Sequence, residues 1–479
     1  MKLIGRQEQL KQFRMFMESP RAELVAVYGR RRVGKTFLVR EYFKEQGTYF
    51  ELTGIKDGSL EEQLLAFRDT FQKTFYPTVP VEVPKSWREA FLMLTREIER
   101  HEQNRVIVFL DELPWLATPR SGLMQQLDHF WNTDWSQRQH LIVILCGSAA
   151  SWMLDHLVHA KGGLHNRLTQ NIRLMPFSLS ETRDYLLANG FSGDHKQILD
   201  LFMVMGGIPY YLNQVKRGLS AVVNINEICF KSGGLLFSEF SNVFASLFGR
   251  LPIYRQVVFK LAQHHYGITR EDLFRAVGLK TGGTAQKRLD ELEEAGFITK
   301  FVPYGKQYDV HYRITDEYSL CYARWIHPLS KGVIASENYW LKKSTSPEWS
   351  SWAGYAFENV CYKHLTQIAR AISADHTAYV AGPWQCFGGE CLKDGGAQVD
   401  LLFDRDDGVI NLCEIKCAKN EFVIDKEYAQ NCQNKIQVFK EKTKTEKDVL
   451  LTFITLSGVK NNAYKKAMVD SEVVLRDLF

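Results

Sequence analysis

No apolar run in this 479-residue sequence approaches the length of a membrane span, and Met1-Lys2-Leu3-Ile4-Gly5-Arg6-Gln7 lacks the apolar core of a secretory signal. A cytoplasmic protein with no membrane partner is the expectation. Strong charge is lacking too: the net charge is +5 and the pI near 8.5, which neither demands nor excludes a nucleic-acid partner. Any such argument has to come from local sites. Tight cysteine pairs are also absent, the nine cysteines being scattered and largely embedded in apolar segments such as Leu145-Cys146, which suits reduced, packed thiols. Cys386, Cys391, Cys413 and Cys417 come nearest to a zinc set. Neither pair has the C-x-x-C form, and Cys413 and Cys417 share strand parity with Ile415, so they are expected to pack inward. At this length, with 45% hydrophobic residues, about three domains are expected rather than one core.

What is present centres on Gly29-Arg30-Arg31-Arg32-Val33-Gly34-Lys35-Thr36, which fits the phosphate-loop pattern G-x-x-x-x-G-K-[ST] at every fixed position. Leu24 to Tyr28 before it reads as a buried strand, and Thr36 to Phe43 after it as a helix. The two glycines let backbone N–H groups turn toward phosphate oxygens at a helix N-terminus. Lys35 would then reach the β- and γ-phosphates of ATP, and Thr36 would help to hold Mg²⁺. Downstream, Val106 to Leu110 is an apolar strand ending in Asp111 and Glu112. Asp111 suits support of Mg²⁺ through water, and Glu112 suits polarising the water that attacks the γ-phosphate. A third strand, Leu141 to Cys146, runs into Gly147-Ser148, placing Ser148 at the same end of the sheet, where it would sense the γ-phosphate.

Gly5-Arg6-x-Glu8-x-Leu10, the Gly29–Thr36 loop, Leu110-Asp111-Glu112, Cys146-Gly147-Ser148 and Gly206-Gly207-Ile208-Pro209-Tyr210 together resemble the archaeal-type AAA+ ATPases. The resemblance implies that Gly5 and Arg6 lie near the adenine. It also implies that Arg167 is an arginine finger acting across a homo-oligomer, and that Gly206 to Pro209 is the turn at the start of a helical lid.

From Ile253 to Ile314 the pattern is three helices and two short strands, with Thr269 as an N-cap, Gly278 as a helix end and Tyr304-Gly305-Lys306 between strands 297–301 and 308–312. This resembles a winged helix-turn-helix. Gln286, Lys287 and Arg288 suit a recognition helix, whereas Asp290, Glu291, Glu293 and Glu294 would be repelled by DNA, so a packing or relay role is the expectation.

In the last part, Gln398 to Phe403 and Val409 to Lys416 read as strands joined at Asp406-Asp407-Gly408. Glu414 and Lys416 are two apart and so share a face, as do Gln398 and Asp400. Asp400, Glu414 and Lys416 form the D…E-x-K arrangement, and the stretch resembles a PD-(D/E)XK nuclease domain, with Glu358 as the helix glutamate that completes many such sites. In that chemistry Glu358, Asp400 and Glu414 hold Mg²⁺ and Lys416 orients the attacking water.

The expected fold class is therefore α/β: a P-loop AAA+ ATPase core at 1–175, a helical lid at 176–248, a winged helix-turn-helix at 249–330, a linker at 331–349 and an α/β PD-(D/E)XK nuclease-like domain at 350–479. The function expected is an ATPase whose nucleotide state governs a Mg²⁺-dependent nuclease acting on DNA. The alternatives are an ATP-driven switch or adaptor with a non-cutting nuclease-like domain, or a winged-helix DNA-binding regulator.

Overall fold

The computed structural model describes residues 3–148, 150–158, 163–231, 233–248, 251–329, 338–386 and 396–479. The chain divides into two compact units, Met1–Pro176 with Glu294–Gly296, and Phe177–Glu293 with Phe297–Phe479. Among the described residues no helix is long and apolar enough to cross a membrane.

The first unit is built on five strands, β1 (Glu23–Tyr28), β2 (Thr48–Thr53), β3 (Val106–Asp111), β4 (Leu141–Gly147) and β5 (Gln170–Arg173), in the order β2-β3-β4-β1-β5. Every pairing is parallel. Helices cover both faces of such a sheet, so β1, β3 and β4 are buried along their whole length, which is why they read as unbroken apolar runs rather than alternating ones. On one face the helices Leu60–Phe75, Trp87–Arg100 and Leu123–Thr133 bury Phe67, Trp87, Phe91 and Leu127 against Phe50 and Val108. Helix Gln7–Glu18 and helix Lys35–Phe43 bring Phe13 and Phe43 together, ring centroids 4.9 Å apart. The parallel order puts the carboxyl ends of β1, β3 and β4, and the residues that follow them, at one edge.

The second unit opens on helices Leu179–Ala188 and His195–Met205. Gly206 (φ 65°) ends the latter, so the glycine turn expected to begin the lid comes after two of its helices. It nevertheless lies beside the start of this region, because the Phe177 N–H donates to the Gly207 carbonyl at 2.7 Å and a Cβ on Gly207 would strike that backbone. Three helices, Pro252–Leu261, Arg270–Val277 and Gly283–Glu294, accompany a small antiparallel sheet of β6 (Ile268–Thr269), β7 (Ile298–Phe301) and β8 (His311–Ile314), in the order β6-β8-β7. Thr269 accepts the Asp272 N–H and Gly278 (φ 70°) closes the second helix. The strand expected at 308–312 starts instead at His311: Tyr308 is 90% exposed and the Val310 N–H turns back to its carbonyl, so only the following residues pair with β6 and β7.

The expected linker differs as well. Residues 330–337 lie outside the described residues, but Tyr339–Lys343 is helical and Pro347 begins the long helix Pro347–Lys363. Trp340 is fully buried, stacked on Phe230 at 4.7 Å and edge-on to Trp349 at 4.9 Å. A few large rings, rather than many regularly spaced apolar residues, hold this segment down.

The remaining strands, β9 (Tyr379–Cys386), β10 (Ala397–Arg405), β11 (Val409–Lys416), β12 (Asp448–Thr455) and β13 (Ser471–Val474), form a mixed sheet in the order β13-β12-β11-β10-β9. β9, β10 and β11 are antiparallel neighbours; helix Lys426–Thr443 then crosses over so that β12 runs parallel to β11. Cys413 is buried and free, as is Cys361, whereas Cys386 at the half-exposed end of β9 is disulfide-bonded, against the expectation of reduced thiols throughout.

Candidate functional sites

At the edge of the first sheet, β1 passes into the glycine loop. Gly29 has φ 145°, and a Cβ there would lie 2.4 Å from the Leu174 carbonyl oxygen, so only glycine fits beneath the backbone that follows β5. Gly34 (φ 90°) and Arg32 (φ 74°) complete the turn into helix Lys35–Phe43. Arg30 is buried within the loop, and Arg31 and Val33 lie on either side of Arg32. Lys35 is buried, and its Nζ donates to the Gly29 and Arg30 carbonyls at 3.0 and 3.1 Å. The ammonium is thus folded over the cradle whose N–H groups would receive phosphate.

Across the edge, the Thr36 hydroxyl donates to Asp111 Oδ2 at 2.8 Å. Asp111 Oδ1 is buried with no hydrogen-bond partner among the described residues. Burial pushes the Asp111 carboxyl above its ordinary value, while hydrogen bonds from Thr36 and Cys146 work the other way. A buried carboxylate oxygen left open beside a threonine hydroxyl suits Mg²⁺, a hard cation that takes oxygen ligands and keeps much of its water. Glu112 follows in the left-handed region (φ 48°). Its Oε2 accepts from Ser148 twice, from Oγ at 2.9 Å and from the backbone N–H at 3.2 Å. The structure therefore brings Lys35, Thr36, Asp111, Glu112 and Ser148 to one edge.

Gly5 and Arg6 both take positive φ, and the Arg6 guanidinium donates to the Met175 carbonyl at 2.6 Å and to the Val33 carbonyl at 3.0 Å. Arg6 is buried, tying the start of the chain to the glycine loop. Arg167 ends a short 3-10 turn, Gly163–Arg167, and is exposed.

The second cluster lies in the C-terminal sheet. The register of β10 against β9 shifts between Val399 and Leu402, a bulge that re-aims Asp400. Asp400 Oδ2 accepts the Ile415 N–H at 3.1 Å. Glu358, on helix Pro347–Lys363, lines the same crevice as Asp400 and Gln398. Burial first, and then the charge of the other carboxylates, push both Glu358 and Asp400 upward. Glu414 is differently engaged: Lys435 Nζ reaches its Oε1 at 2.5 Å, and on Oε2 the Tyr428 hydroxyl donates at 2.7 Å with Lys416 Nζ at 3.4 Å. Burial opposes the charge on Lys416, but Glu414 and Asp400 outweigh it and hold the ammonium above its ordinary value. Among the described residues no group of three or more His, Cys, Asp or Glu side chains is drawn together to hold a metal ion, so the three-carboxylate cage of Glu358, Asp400 and Glu414 is not preformed. The physical reason is the two lysines, which claim Glu414.

Lys435 and Tyr428 were not singled out from sequence, although their seven-residue spacing puts both on one helix face over β11. Nor was the role of the segment between β7 and β8. Tyr304 N–H donates to the Pro383 carbonyl at 2.9 Å, its hydroxyl donates to Asp404 at 2.9 Å, and its ring packs on Phe439. On the third helix Gln286 is taken up by Asp290 and the Tyr312 hydroxyl. The surfaces that would face DNA in a groove-reading module are in part engaged within the protein itself.

Comparison with known proteins agrees with the first of these sites. Residues 3–215 match the family described as an ATPase domain predominantly from Archaea. An uncharacterized protein of Methanocaldococcus jannaschii is 21% identical over 406 residues, 84% of each chain, an alignment longer than the ATPase match. Among solved structures, the Walker-type ATPase of Pyrococcus abyssi is similar over 67% of this chain and 96% of its own, at 20% identity and a TM-score of 0.50, a likeness of fold. The ORC2 protein of Aeropyrum pernix, in complexes with ADPNP and ADP, covers 72% of this chain and 96% of its own at 14% identity and a TM-score of 0.43. Parallel sheet, glycine loop and family match together identify residues 3–215 as an archaeal-type P-loop ATPase domain.

Proposed function

We propose that the chain is a cytoplasmic ATPase whose nucleotide state governs a metal-dependent site for phosphodiester cleavage in its C-terminal domain, acting on DNA. ATP would be held by the 29–36 loop, with Lys35 on the β- and γ-phosphates and Gly5 and Arg6 toward the adenine. Thr36 and Asp111 would hold Mg²⁺, whose chemistry is to neutralise the charge that develops on the phosphoryl oxygens. Glu112 would orient the attacking water and Ser148 would hold Glu112 until the γ-phosphate arrives. Residues 176–248 serve as a lid, 249–330 as a winged-helix connector and 350–479 as the nuclease-like domain.

The observation that carries the nuclease part is the convergence of Glu358, Asp400, Glu414 and Lys416 around the β10–β11 pair, on a two-stranded hairpin and a helix well before it in sequence. Glu358 and Asp400 would hold a divalent cation, joined by Glu414 when Lys435 releases it, and Lys416 would orient water. A second reading, an ATP-driven switch whose C-terminal domain does not cut, is favoured by the claim of Lys435 and Lys416 on Glu414. Cleavage of single- and double-stranded DNA and RNA in Mg²⁺ or Mn²⁺, with and without ATP, separates the two. Cleavage lost in Lys416→Ala, and responsive to ATP only while Lys35 is intact, supports the nuclease. ATP hydrolysis with no cleavage under any of these conditions supports the switch.

A further inference from the structure

The crevice that holds Glu358 and Asp400 has a second wall. It is lined by His265, Tyr266, Phe301, Pro303 and Arg313 from the three-helix, three-strand module; the enclosed part measures about 20 Å³, and the crevice opens to solvent at its mouth. Arg313, on β8, lays its guanidinium 3.3 Å over the Tyr362 ring, and the Tyr362 hydroxyl donates to the Asp400 carbonyl. The ring of Phe301 lies 4.9 Å from the same guanidinium. Two aromatic faces fix the plane of the cation at the cost of its mobility.

What Arg313 does not do is decisive. Among the described residues it forms no ion pair, although Glu358 and Asp400 share its crevice, and its Nε is buried without a partner. Among the described residues neither of those carboxylates is ion-paired either. A guanidinium and two acids that share one narrow crevice without closing on each other leave their charges to be answered from its open mouth, by an anion that brings a metal. The walls do not slide freely, since Tyr304 fastens the module to β9 and β10 through its backbone and its hydroxyl.

We propose that Arg313 is the anion-holding residue of a composite site, taking a non-bridging oxygen of a phosphodiester while Glu358 and Asp400 hold the divalent cation on that phosphate. This rests on the reading of those carboxylates as a phosphodiester-handling site. A planar fork suits phosphate oxygens better than an ammonium does. The C-terminal domain is then incomplete without β8 of its neighbour.

The test is fluorescence anisotropy of a labelled single-stranded oligodeoxynucleotide on the full chain in Ca²⁺, across a salt series, with Mn²⁺ binding followed separately by electron paramagnetic resonance. Arg313→Ala and Arg313→Gln are expected to weaken oligonucleotide binding about tenfold or more. The slope of log affinity against log salt should fall by about 0.7. Arg313→Lys should keep the slope while losing part of the affinity, a split that a purely structural role would not produce. Thermal melting of all three variants reports whether they fold, and Arg313→Lys retains the charge should the others fail. Unchanged affinity and slope in Arg313→Gln, or tighter binding in Arg313→Ala as for a stopper removed, would overturn the inference. Wild type that binds neither Mn²⁺ nor oligonucleotide, or in which Asp400→Asn leaves the number of bound Mn²⁺ ions unchanged, overturns the phosphodiester reading itself and this inference with it.

Discussion

Ser148 grips Glu112 with both its hydroxyl and its backbone N–H, at 2.9 and 3.2 Å on the same carboxylate oxygen. The acid that adjoins Asp111 is thereby held by the residue that follows β4 rather than free in the nucleotide cradle. A general base contributes about 10²–10⁴-fold, so Glu112→Gln should cut ATP hydrolysis by that order while nucleotide affinity stays near wild type. Ser148→Ala removes only the hydroxyl and leaves the backbone donor. It should lower turnover by about tenfold, the weight of one hydrogen bond that orients the base. Steady-state hydrolysis beside equilibrium binding of a fluorescent ATP analogue checks both; an equal loss of binding in Glu112→Gln would remove it from the catalytic step.

Arg167 is exposed at the end of its 3-10 turn, and among the described residues no hydrogen bond or ion pair ties it to the Lys35–Asp111 edge. If it serves a neighbouring copy, hydrolysis per chain should rise with protein concentration, and Arg167→Ala should abolish that rise. Mixing Arg167→Ala with Lys35→Ala offers a sharper measurement: each lacks what the other supplies, so the mixture should recover activity that neither has alone. Full activity of Arg167→Ala at every concentration would return this residue to the surface.

Much of the first unit was legible because its strands are buried on both faces and announce themselves as apolar runs, with the glycine pattern fixing where the sheet edge lies. The D…E-x-K pair was legible for a related reason, strand parity placing Glu414 and Lys416 together. What sequence could not give was partnership. Lys435 competes for Glu414, Arg313 enters from another module, and Trp340 anchors a segment whose composition reads as a linker; each depends on a neighbour distant in the chain. Local pattern reports which face a residue presents, not what meets that face.

His364 joins the first helix of the second unit to the helix bearing Glu358. Its Nδ1 donates to the Val360 carbonyl at 2.7 Å and its Nε2 accepts the Leu179 N–H at 3.0 Å, a pairing that only the neutral ring satisfies. Burial pushes its pKa from 6.5 down to about 4. Between these values the unfolded chain binds a proton that the native chain refuses, so stability is complete above about pH 6.5 and is lost as pH falls toward 4. The loss is at most ~3 kcal/mol. Denaturant midpoints followed by tryptophan fluorescence should therefore fall more steeply over this window in wild type than in His364→Gln. Parallel lines for the two proteins would show that the imidazole does not carry the acid sensitivity.

Lys435 sets the last expectation, because its contact with Glu414 at 2.5 Å stands between the present arrangement and a three-carboxylate metal site. Lys435→Ala leaves Glu414 with Tyr428 and Lys416 and frees Oε1, the oxygen now occupied. Removing a cation beside buried acids favours any other cation there, so Mn²⁺ should bind about tenfold tighter, the effect of roughly one unit of charge interaction in a partly buried site. Lys416→Ala frees part of the other oxygen but also removes the group that the nuclease reading assigns to orienting water, so on that reading it should tighten Mn²⁺ and abolish cleavage together. The two lysines thus separate: one restrains the metal site, the other would also work within it. Electron paramagnetic resonance titration of Mn²⁺ against both variants reads the first effect, and oligonucleotide cleavage the second. Were Mn²⁺ affinity unmoved by Lys435→Ala, Glu414 would not be a latent ligand, and the site would reduce to the Glu358–Asp400 pair.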